Sequence, residues 1–173
     1  MPGWTPSVAS AKVYTTWSPT ALQVGVLVHA QEFSQGFTKA NIWQGSSVQL
    51  FFEVRTPQAS GGWIGGSTAS VGLAATPQGP QVWEWHGPTP GLVTSAPLTV
   101  TRIHHNTWWY QVSLPWSTLG ITPAAGTYFG FDALLNVVRG KNRVGWIALA
   151  PGVGNTNLQD RYPSLTLLPT TAE

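Results

Sequence analysis

The stretch Ala21-Leu22-Gln23-Val24-Gly25-Val26-Leu27-Val28-His29-Ala30 places Leu22, Val24, Val26 and Val28 at alternate positions. That period of two is the signature of a β-strand with one face against a core. A second run repeats it. Val48, Leu50, Phe52 and Val54 fall on one face, with Ser47, Gln49, Phe51, Glu53 and Arg55 on the other. Further strands are read at 81–86, 98–103, 108–114, 128–138, 143–150 and 164–168, each bounded by Gly, Pro, Asn or Ser. Some of these carry apolar runs long enough to imply burial on both faces. No window keeps apolar residues at helical spacing, and the one helical turn expected is Pro115-Trp116-Ser117-Thr118-Leu119 before Gly120. The reading is therefore all-β, an antiparallel sandwich.

Composition agrees with a packed domain. In 173 residues, 42% are hydrophobic, ten are Trp and only 8% are charged, which excludes a disordered chain. A net charge of +2, spread along the chain, makes no nucleic-acid footprint. Cysteine is absent, which removes disulfides and thiolate chemistry. No run is apolar for long enough to span a membrane as a helix. The opening MPGWTPSVAS has neither a basic nor an apolar leader segment, so a cytoplasmic-side location is expected if Met1 is the native start. Residues 1–16 are read as an extended arm, 17–168 as one sandwich domain and 169–173 as a tail.

The segment Tyr110-Gln111-Val112-Ser113-Leu114-Pro115-Trp116, followed by Gly126-Thr127-Tyr128-Phe129-Gly130-Phe131-Asp132, resembles the C-terminal half of family-9 carbohydrate-binding modules. Asn136, the turn 140–143 and Tyr162-Pro163-Ser164-Leu165-Thr166-Leu167 continue the resemblance. Upstream, Ile42-Trp43-Gln44-Gly45-Ser46-Ser47-Val48-Gln49-Leu50-Phe51-Phe52 is similar to that family's Trp-x-x-Asp-Ser-Val-Glu-Leu-Phe segment. The resemblance implies an immunoglobulin-like or jelly-roll-like β-sandwich that binds sugars between two indoles. Trp43 matches the first indole. The second falls at 156–158, where no aromatic stands, and the family's Asp and Glu are Ser46 and Gln49 here. Glycan-binding candidates are thus Trp43, Gln49, Asn136 and Asn157.

No catalytic signature occurs, no two acids lie within four positions of one another, and neither an enzyme nor a bound metal or cofactor is expected. In Trp83-Glu84-Trp85-His86 the indoles are expected to cap the core and the polar pair to face water. His104-His105 are placed at a hairpin. His29, with Lys39 or Lys141, is the weak candidate for a haem ligand pair. Trp108-Trp109 must put one ring inside and one outside. Trp63 sits in a Gly-flanked segment read as a loop, and Trp4 in the arm. With half of the sugar clamp missing, the first expectation is a scaffold subunit docking on a larger protein complex, a membrane-associated one included. Its interface candidates are Trp4, Trp63, Trp85 and Trp109, since indoles anchor interfaces. A glycan is the second expected partner.

Overall fold

The computed structural model describes residues 9–57, 63–154 and 158–169. Eleven strands follow in chain order, with short helical turns between them. They are β1 (Ala9–Trp17), β2 (Ala21–Ala30), β3 (Ser47–Pro57), β4 (Trp63–Thr76), β5 (Gly79–His86), β6 (Gly91–Leu92), β7 (Leu98–His104), β8 (Thr107–Pro115), β9 (Tyr128–Arg139), β10 (Asn142–Ala148) and β11 (Ser164–Thr166). A 3₁₀ turn covers Lys39–Gln44, another Gln159–Arg161, and α1 is the single turn Trp116–Leu119. Gly120, at φ 66°, closes α1 in the left-handed region, as a C-terminal glycine does.

Two antiparallel sheets result. The smaller runs β1-β2-β8-β7 and the larger β10-β9-β3-β4-β5-β6, with β11 also pairing β9. One apolar core lies between them. Leu22, Val24, Val26 and Val28 from β2 and Tyr110, Val112 and Leu114 from β8 meet Val48, Leu50 and Phe52 from β3 and Phe129, Phe131 and Leu135 from β9. The period-two reading of β2 and β3 is what the sheets bury, because a strand in a sandwich offers every second side chain to the opposite sheet. β9 is buried on both faces from Phe129 to Val138, which explains its unbroken apolar run.

Three local expectations give way. Residues 9–16, read as part of an arm, form β1 with Trp17 and pair with β2 along its whole length. An edge strand with one bare face shows little apolar alternation, so β1 was not readable as one. Trp63 opens β4 opposite Pro57 and is not in a loop, since flanking glycines do not prevent extension beside a partner strand. β5 is turned over. Val82 and Glu84 are buried, whereas Trp83 and Trp85 lie on the outer face. Val82 settles this orientation, and the fully buried Glu84 carboxylate is satisfied locally by the Thr89 N–H (3.0 Å) and hydroxyl (3.1 Å).

The histidine pair behaves as expected. His104 pairs with Thr107 across a turn made by His105 and Asn106, and Asn106 has φ 65°. Trp108 turns inward, stacked on Phe33 at 3.8 Å between ring centroids, and Trp109 turns outward.

Candidate functional site on the larger sheet

Asn136 and Ser47 are register partners on β9 and β3, and both are buried. The Asn136 amide donates to the Ser47 hydroxyl (2.9 Å), which donates in turn to the Gly45 carbonyl (3.1 Å). The remaining acceptor, Asn136 Oδ1, takes Arg143 Nε at 2.6 Å. Asn136 is only 2% exposed, so its amide serves to hold Arg143 and is not available at the surface.

Arg143 sits on β10, and its guanidinium carbon lies 4.9 Å from the Trp146 ring centroid and 5.3 Å from that of Trp43. Both distances are within cation–π range, so a single cation bridges the two indoles. Residues 143 and 146 should occupy opposite faces of a regular strand, being an odd number of positions apart. A bulge between Arg143 and Gly145 corrects this. The bulge takes up Val144 as an unpaired extra residue, so Arg143 and Trp146, opposite Val138 and Asn136, share one face. Partial burial lowers the Arg143 pKa from its ordinary value. Its Nη groups have no protein partner among the described residues, which leaves donors for a ligand.

Trp43 projects from the 3₁₀ turn Lys39–Gln44 and is 40% exposed. The turn is pinned from several sides. Gln35 Nε2 donates to the Ile42 carbonyl at 2.9 Å and to Ser46 O at 3.1 Å, and Trp85 Nε1 donates to Ala40 O at 2.9 Å. Ile42 is fully buried beside Gly72, where a Cβ would meet both Ile42 and the Trp85 ring. Gln49, two residues along β3 from Ser47 and on the same face, is half-buried, and its amide has no partner among the described residues. Exposed indole, cationic donors and a free amide therefore share the outer face of one sheet.

Trp146 is held from below and from the side. Phe51, Leu134, Val153 and Tyr162 form a small second core against it, and at Gly154 (φ 109°) a Cβ would collide with the indole nitrogen. The loop carrying Gly154 is anchored by Asp132, whose Oδ1 accepts from Ala133 N–H at 2.8 Å and from Ala150 N–H at 3.1 Å. Asp132 is fully buried, its other oxygen has no partner, and burial raises its pKa against the lowering effect of these N–H groups. Desolvation, and after it the charges of Asp132 and Glu53, push the buried Tyr162 hydroxyl up to about 12. The fold thus gathers two buried carboxylates, Asp132 and Glu53, near Tyr162.

The residues singled out in the sequence separate clearly. Trp43, Gln49 and Asn136 come together on one face. Asn157 and Trp4 lie outside the described residues, as does the side chain of Trp63. Trp85 lies across Gly72 of its own sheet and Trp109 across Gly25 of the other. His29 is exposed, with Nδ1 3.3 Å from the Thr107 hydroxyl, and belongs to the smaller sheet, whereas Lys39 packs with the larger. They are not brought together. Among the described residues no helix is long and apolar enough to cross a membrane. Arg143 and Trp146 were not singled out in the sequence, because only the bulge makes them neighbours on one face.

These features define a two-sheet β-sandwich with a cation–aromatic site open on the outer face of its larger sheet. The fold is that of family-9 carbohydrate-binding modules. A module of that family from Caldicellulosiruptor kristjanssonii in complex with cellotriose is similar over 98% of this chain and 80% of its own, at TM-score 0.71 and 15% identity. The same organism's module in complex with glucose gives TM-score 0.68 and 14% identity, covering 99% of this chain and 83% of its own. A putative carbohydrate-binding protein from Bacteroides uniformis gives 0.60 and 8%, over 92% and 78%. No family model and no curated protein matches the sequence.

Proposed function

We propose that the protein is a non-catalytic carbohydrate-binding module that holds a neutral glycan against Trp43. Trp146, Arg143 and Gln49 complete the site, and Asn136 positions the guanidinium. The observation that carries this reading is the Arg143 cation shared by two indoles beside a free amide. Sugar rings stack their C–H faces on indole and direct hydroxyls to nearby donors, so affinity needs rings and converging polar groups together. The similar structures holding cellotriose and glucose support the same ligand class.

The departures noted in the sequence fit this arrangement. Where the related family would place an acid, Gln49 supplies an uncharged donor and acceptor, and Trp146 brings a second ring from β10 in place of one at 156–158. Of the four docking candidates, Trp85 and Trp109 pack on glycines of their own sheets, and Trp4 and the Trp63 side chain lie outside the described residues.

The test is a titration of intrinsic tryptophan fluorescence with cellotriose, glucose, xylotriose and mannotriose. Binding by at least one is expected, weakened about tenfold or more by Trp43→Ala and by Trp146→Ala, as for central aromatic contacts. Absence of any response at millimolar sugar would refute the proposal.

A further inference from the structure

The outer face of the smaller sheet carries a second arrangement of rings and neutral polar groups. Register sets its rows. Thr16, Gln23 and Ser113 stand side by side across β1, β2 and β8; the next row is Tyr14, Gly25, Gln111 and Thr99, and the third is Lys12, Leu27, Trp109 and Thr101. Trp109 leans out of its own row. Its six-membered ring lies across Gly25, where a Cβ would come within 2.4 Å of the ring, so the missing side chain is what lets the indole lie on the sheet. Tyr14, 51% exposed, stands 6.0 Å away between ring centroids and inclined by 54°. Beside the pair lies a shallow groove of about 240 Å³ that Tyr14, Trp109, Thr16, Gln23 and Gln111 border.

The chemistry of this groove is specific. Lys12 is the only charge in the three rows and no carboxylate stands there. An anionic polymer would need several cations to bind. A protein partner would look for a larger apolar centre than one Trp, one Tyr and one Leu set among Thr and Gln. Gln23 donates to Ser113 at 2.8 Å, and Trp109 Nε1 reaches Gln111 Oε1 at 3.4 Å. Gln23 Oε1 and Gln111 Nε2 have no partner among the described residues, which leaves an acceptor along the strand from Gly25 and a donor across from it.

We propose that the Tyr14–Trp109 groove is a second glycan site, for a run of a neutral polysaccharide chain, on the sheet opposite the Trp43 site. It rests on the preceding reading for the ligand class alone; its residues are separate. Two sites on opposite sheets would let one module bridge two chains or two segments of one chain.

The two sites are distinguishable in one experiment. With ¹⁵N-labelled protein, the indole N–H signals of Trp43 and Trp109 are followed during addition of cellohexaose, and separately of xylohexaose and mannohexaose. The inference expects the Trp109 indole and the Gly25 and Gln111 amides to shift with at least one hexaose, and to do so also in Trp43→Ala. Trp109→Ala, and independently Gly25→Val, which displaces the indole without removing it, should weaken this binding about tenfold or more. A shift at Trp43 with none at Trp109 overturns this inference and leaves the first site standing. The reverse pattern upholds the groove and removes the Trp43 site, and silence at both with all three sugars overturns both.

Discussion

Asp132 meets two opposing demands. Its Oδ1 gathers backbone N–H groups that hold the loop beside Trp146, yet the carboxyl is fully buried with Oδ2 unpartnered. Desolvation prevails and raises its pKa above the ordinary 3.8, with Glu53 and Tyr162 as the titratable groups nearby. A carboxyl that keeps its proton more tightly when folded stabilises the native state at low pH. That contribution is lost as pH rises through the folded pKa. Asp132→Asn keeps an acceptor at Oδ1 and removes the ionisation. The stability of the wild type relative to Asp132→Asn should therefore fall as pH is raised from 3 to 8, as measured by urea midpoints. A flat difference would mean that Asp132 ionises at its unfolded value. At this scale Trp43 was visible in the sequence through the resemblance of residues 42–52 to the family-9 segment. Asp132 was visible only as part of a motif, and its role depends on contacts with residues 150–152.

β10 shows how a bulge keeps two side chains on one face. Val144 is 43% exposed and occupies the bulge opposite Val137 and Val138. Deleting it leaves Arg143 and Trp146 two positions apart, on one face of a regular strand. The expected result is a fluorescence response to sugar that is retained, with a melting temperature changed by only a few degrees, since Val144 is not part of either core. Loss of the response in a folded variant would place the site elsewhere. β9 explains why the neighbouring loop needs an anchor. β10 pairs with its residues 134–139 and β11 with 128–130, so the edge changes partner around Asp132. The hydrogen bonds from Phe131 N–H to Pro163 O and from Leu149 N–H to Ala133 O bridge the gap. In β5, alternation was legible but its direction was not. Val82 and Glu84 alternate with Trp83 and Trp85, and composition favours the indoles as the inner set. The buried Glu84 reverses that choice because Thr89 satisfies its carboxylate where it stands.

For the whole molecule the decisive feature is a single core shared by both sheets. Phe52 lies in its middle, fully buried, with ring centroids 5.4 Å from Phe131 and 6.3 Å from Phe129. Phe52→Ala should cost about 3–5 kcal/mol. Unfolding monitored by tryptophan fluorescence and by far-UV circular dichroism should remain one coincident transition, because neither sheet retains a core without the other. Two separate transitions would show that the sheets are independently stable. Long-range ties close the structure at one end. Trp17 Nε1 donates to the Leu168 carbonyl at 2.8 Å, and Trp116 Nε1 to Ser18 O at 2.8 Å.

The sequence by itself determined that the chain is a β-sandwich, because alternation along each strand is a local property that one dividing surface between apolar and polar faces imposes. It also established the low charge, which by itself pointed to a protein surface, and, through the family resemblance, the position of Trp43. Tertiary structure alone decided what stands beside Trp43. Arg143 and Trp146 lie a hundred residues further on and share its face only through a bulge and the β3–β9 register, which no local pattern encodes. It decided equally that Trp109 lies flat on Gly25, since the glycine belongs to the neighbouring strand and its meaning appears only when the two are paired.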